Sequence, residues 1–167
     1  NAGGGAPSDN TTILRRMIER GVTEAAVGPI WDPIAVRLCF DAGPGASFPL
    51  RFGGKIGPAS GAPIDATVTV TGLKRECWQS FGPTQSPLGD CAGIKVDGVD
   101  VVLISNRGQA LGLELFRNVG VEPTDRKLVV VKSTNHFMAA FGPIAKQVLY
   151  IDTDGPIPRD YRKIPYT

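Results

Sequence analysis

The sequence predicts a single layered domain, α/β or α+β, built on a mixed β-sheet with flanking helices. Three observations carry this. Apolar strand-like runs alternate with segments of helical period along most of the chain. Asp97-Gly98, set between Ala92–Val96 and Val99–Ser105, is a strong two-residue hairpin signal and requires an antiparallel pair. Ile64–Leu73 alternates strictly, with Ile64, Ala66, Val68 and Val70 on one face and Asp65, Thr67, Thr69 and Thr71 on the other, the period of a strand with one buried face. The 167 residues suit one domain able to bury a core without staples.

The elements follow in order. Gly3, Gly4 and Gly5, then Ala6-Pro7-Ser8-Asp9, read as a glycine-rich loop feeding a helix over Asn10–Arg20, with Ser8 or Asp9 as its N-cap. Ile13, Leu14, Met17 and Ile18 form the apolar stripe of that helix, and Gly21 ends it. Glu24–Ile30 reads as a strand. Asp32 then caps a second helix with Pro33 at its first position, running to Ala42. Ser47–Phe52 is a strand closed by Gly53-Gly54, and Gly57–Pro63 is turn-forming throughout. Gln79–Gly89, polar and rich in turn residues, is expected to be a loop. Val99–Ser105 is apolar enough for a central strand. Gln109–Asn118 is expected as a helix with Leu111, Leu115 and Phe116 inward, and Lys127–Lys132 as a fully buried strand. A helix from Asn135 to Phe141, a last strand over Gln147–Asp152 and an irregular tail from Gly155 to Thr167 complete the chain.

Composition excludes several classes of function. The net charge of +2 comes with no block of like charges, so nothing marks a nucleic-acid or membrane-surface partner. No apolar run reaches transmembrane length. Cys39, Cys77 and Cys91 lack metal-type spacing and read as buried reduced thiols, although Cys77 and Cys91 could pair in an oxidising setting. A cytoplasmic home follows as the expectation.

The motifs also carry a family resemblance. GGGAPSDNTTIL (Gly3–Leu14) resembles the GGGAPGD-S/T motif that opens the C-terminal domain of MlrC-type proteins, a family of zinc metallopeptidases named for microcystin degradation. LRRMIERGV (Leu14–Val22), FGGKIGPASGAPI (Phe52–Ile64), SNRGQ (Ser105–Gln109), VGVEP (Val119–Pro123) and VVKSTNHFMAAFGPIA (Val130–Ala145) look like that domain in its order. The domain is taken as residues 3–167, with Asn1 and Ala2 as an appended remnant. The resemblance implies that zinc is bound by an N-terminal domain not contained in this chain. It further implies that this chain walls the cleft in which a peptide or other amide is hydrolysed, and that alone it is inert.

Three polar loops follow strands and lead towards helices: Trp31-Asp32, Asn106–Gln109 and Ser133–His136. If those strands are parallel neighbours, the loops share the carboxyl edge where ligands bind in open sheets. His136, the only histidine, cannot make a zinc site by itself. It is either a hydrogen-bonded residue at a helix start or a proton carrier reaching the upstream active site. Lys132 either snorkels into solvent or pairs with a substrate carboxylate. The glycine loop is either a tight turn or a domain junction where Asp9 and helix amides orient a polar group. Gly53-Gly54-Lys55 reads as a hairpin-type turn or an anion nest. Arg107 and Gln109 either bind carboxylate or amide groups or are merely solvated. The candidate site is therefore His136 and Asp9 as supporting catalytic groups, with Ser8, Lys132, Ser133, Asn106 and Arg107 around substrate. The competing readings are a regulatory, small-ligand-binding domain and a structural or dimerising module.

Overall fold

The structure, a computed structural model, describes residues 5–153, 155 and 162. Gly3, Gly4 and most of the tail expected over Gly155–Thr167 lie outside the described residues.

One six-stranded mixed sheet organises the chain, in the order β2-β3-β4-β5-β1-β6 and not closed into a barrel. The strands are β1 (Ala25–Trp31), β2 (Ser47–Phe52), β3 (Ile64–Phe81), β4 (Thr84–Val96), β5 (Val99–Ile104) and β6 (Leu128–Val131). β2 to β5 form an antiparallel meander, the last turn being the expected Asp97-Gly98 hairpin with both residues at positive φ. β1 enters between β5 and β6 and runs parallel to both. Its pairing with β5 skips Gly28 and Pro29, since a proline nitrogen has no proton to give a ladder.

Helices cover both faces. On one, α1 (Thr12–Glu19) and α2 (Pro33–Ala42) bring Leu14, Met17, Val36 and Cys39 onto Val27, Ile94, Val101 and Leu103. On the other, α3 (Glu114–Arg117) and α4 (Met138–Phe141) bring Leu115, Phe116 and Phe141 onto Cys91, Val102 and Ile104. β5 is buried at every position because its alternate side chains supply both cores. No helix among the described residues is long and apolar enough to cross a membrane.

Several elements differ from expectation. Gln79–Gly89 is not a loop: it is most of a hairpin arm in which β3 and β4 pair as far as Phe81 and Thr84, turning at Gly82-Pro83. The expected helix over Gln109–Asn118 shrinks to α3, because the amides of Leu111 and Gly112 are committed to the Gln79 side chain. The apolar β6 is an edge strand, half-buried to exposed, since β1 pairs with only one of its sides. The strand expected over Gln147–Asp152 does not form, and Leu149, Tyr150 and Ile151 are exposed there.

Candidate functional site

The carboxyl ends of β5, β1 and β6 are adjacent, so the three polar loops do share one edge. The loops are also bonded to one another. Trp31 donates its indole Nε1 proton to the Ser105 carbonyl at 2.9 Å, and the Asp32 amide donates to the Ile104 carbonyl at 3.1 Å. The Ala110 amide donates to the Lys132 carbonyl, and Ser133 Oγ donates to Gln109 Oε1 at 3.2 Å.

The glycine loop is stitched onto this edge from the α1 side. The Trp31 amide donates to the Ser8 carbonyl at 3.1 Å. Neither Ser8 nor Asp9 caps α1: Thr11 holds the cap position, and Asn10 Oδ1 accepts from the Thr12 amide. Ser8 sits at positive φ, and its buried Oγ has no hydrogen-bond partner among the described residues. Asp9 points inward. One carboxylate oxygen accepts from the amides of Lys55 at 2.8 Å and Ile56 at 3.0 Å, and the other accepts from Ser60 Oγ at 2.6 Å.

The turn at the end of β2 is therefore an anion-receiving nest filled by the protein's own acids. The Gly54 amide donates to the Asp9 carbonyl, and the Gly53 amide donates to the Asp32 carboxylate at 2.9 Å. Gly53 and Gly54 both sit near φ +60, and a Cβ on Gly54 would stand 2.5 Å from the Ala62 carbonyl carbon. Glycine is required there both for the dihedral and for the close approach. Asp32, buried, keeps its expected role as N-cap of α2, accepting from the Ala35 amide, and also pairs with Lys55 Nζ at 2.7 Å.

Lys132 does not snorkel into solvent. Its side chain turns inward, and Nζ donates to the carbonyls of Ser8 at 2.6 Å and Asn10 at 3.0 Å. Burial of the ammonium pushes its pKa down to about 7, with the Asp9 carboxylate pulling the other way. Asp9, Asp32, Lys55 and Lys132 thus lie in one hydrogen-bonded group beneath the edge, in which each buried polar group has its partners.

Asn106, Arg107 and His136 are exposed on the edge itself. His136 meets Phe81 edge-to-face, ring centroids 5.2 Å apart. The structure thus gathers every sequence-identified residue along one edge, in two tiers: Ser8, Asp9 and Lys132 below, with Ser133, Asn106, Arg107 and His136 above. Sequence reasoning missed Gln79 and Phe81, which carry no signal in a polar, turn-rich stretch. Lys55 is legible in the Gly53-Gly54-Lys55 turn, but its pairing with Asp32 is not. Among the described residues no group of three or more His, Cys, Asp or Glu side chains is placed to hold a metal ion. A single histidine outside any such group is not a zinc donor set among the described residues.

Comparison with known proteins agrees with this architecture. The chain is 41% identical over 151 residues to Microcystinase C from Sphingomonas sp., a match that covers 90% of this chain and 30% of that protein. The crystal structure described as "putative metallopeptidase" from Mesorhizobium sp. BNC1 superposes with a TM-score of 0.72 at 28% identity, covering 84% of this chain and 29% of that one. The chain thus spans about a third of the length of these relatives. A family model described as MlrC C-terminus matches residues 1–167, and the chain belongs to that family.

Proposed function

We propose that this chain is the cleft-completing C-terminal domain of a zinc-dependent peptidase or amidohydrolase, residues 3–167, and that it is inert alone. The metal is held by the remainder of the protein, and the substrate is a peptide or related amide, in keeping with the relative named Microcystinase C. The observation that carries the reading is the convergence of loops 31–32, 105–109 and 132–136 at the ends of three adjacent parallel strands, with the glycine loop fastened to the same edge. That edge is where open α/β sheets receive ligands.

The two tiers divide the labour. Arg107 and Asn106 present a guanidinium and an amide suited to substrate carboxylates and carbonyls. His136, exposed on the same edge, carries the imidazole that this reading assigns to proton transfer. Ser8, Asp9 and Lys132 in the lower tier, with Ser133 above them, hold the loops in register, and the unused hydrogen-bonding capacity of Ser8 Oγ is left for a polar partner.

In the full-length protein, assayed for microcystin hydrolysis, Arg107→Ala and Asn106→Ala are expected to raise KM about tenfold, the effect of losing one good polar contact. Unchanged KM and kcat in both variants would contradict a substrate-facing edge.

A further inference from the structure

The hairpin arm is longer than the sheet requires. β5 ends at Ile104, opposite Cys91, yet β4 and β3 continue beyond that point to Thr84 and Phe81. Seven further residues of strand correspond to about 23 Å of reach past the carboxyl edge. The arm does not wave free. Gln79, fully buried near its end, donates through Nε2 to the Gln109 carbonyl at 2.7 Å and accepts through Oε1 from the amides of Leu111 at 2.9 Å and Gly112 at 3.1 Å. Ser80 donates to the Glu114 carboxylate through both its amide and its hydroxyl. Gln109 in turn accepts from Ser133, so arm, 105–109 loop and 132–136 loop form one bonded frame. What that frame delivers is the Phe81 ring, half-exposed, against the imidazole of His136 at 5.2 Å and 78° between planes. Edge-to-face contact is a preferred, orienting geometry for aromatic rings.

We propose that Phe81 is a positioning residue for His136, and that the arm is thereby a third wall of the cleft. The inference rests on the reading of His136 as a group acting in that cleft. His136 lies in a short loop with an exposed side chain, and a ring so placed samples several rotamers unless something holds it. The phenyl ring supplies that hold through its edge-to-face contact. An imidazole fixed in this way donates or accepts its proton along one direction, which benefits kcat rather than substrate affinity.

The test is a double-mutant cycle in the full-length protein, using microcystin hydrolysis, together with NMR of the His136 ring protons. Phe81→Ala is expected to lower kcat about tenfold with KM nearly unchanged, and to add no further loss on a His136→Ala background. Phe81→Tyr, which keeps the ring, is expected to restore most of the rate. The His136 ring resonances should shift in Phe81→Ala and return towards wild type in Phe81→Tyr. If His136→Ala lowers kcat while Phe81→Ala changes neither kcat nor the His136 resonances, the positioning role is overturned and the cleft reading stands. If His136→Ala itself leaves kcat unchanged, the cleft role of His136 fails and the positioning role fails with it, whatever the resonances show.

Discussion

The Lys132 ammonium and the Ser8 carbonyl, 124 positions apart in sequence, lie 2.6 Å apart. That bond and its companion to Asn10 tie the end of the edge strand β6 to the loop that opens the domain. The lysine thereby anchors the backbone that leads into α1 and fixes where that segment lies against the end of β6.

Lys132→Met is accordingly expected to destabilise the domain by about 2 kcal/mol, because two carbonyls lose a charged donor and methionine offers none. Denaturant titration reads this as a lower midpoint at unchanged slope.

The same lysine sets a pH dependence. Its folded pKa, about 7, lies below the ordinary value of 10.5, so between those limits the unfolded chain binds the extra proton. Stability from this group therefore rises as pH climbs from about 7 towards 10.5, and it is flat below 7, where both states are protonated. Wild type measured against Lys132→Met at pH 7 and pH 9 should show the gap widening at the higher pH.

The nest at the end of β2 makes a steric prediction. Gly54→Ala must hold φ near +59 and place a methyl 2.5 Å from the Ala62 carbonyl carbon, which is backbone and cannot swing aside. A loss of about 2–4 kcal/mol in unfolding free energy is expected. Gly21→Ala, also at positive φ but with nothing within 4 Å, should cost about 1 kcal/mol, which separates the clash from the dihedral.

The three cysteines are buried, and burial pushes their thiols up, Cys39 to about 11 with the Asp32 carboxylate adding to the rise. A thiol reagent at pH 8 followed by peptide mapping should leave Cys39, Cys77 and Cys91 unmodified in the native protein and label all three after denaturation.

How much of this was legible depends on where polarity and burial agree. Asp32-Pro33 announced α2 because the cap acts locally, and Asp97-Gly98 announced the β4–β5 turn for the same reason. The shared loop edge was legible only as a conditional, since strand order is not a local property. The arm was hidden because it buries the polar Gln79 and exposes Trp78, the reverse of ordinary patterning. KLVVVK misled in the opposite sense, as an apolar run does not say how many neighbours a strand has. Asp9 was identified as a site residue, but its partners Lys55, Ile56 and Ser60 lie 46 to 51 positions away, and only the fold brings them to it.

The most direct test of the central claim is turnover and metal content measured together in the full-length protein, wild type against His136→Ala. The account predicts that kcat falls about 100-fold, the scale of losing a general acid–base group, while bound metal and cooperative unfolding are unchanged. Undiminished turnover would contradict it, and would leave this domain without a part in the chemistry.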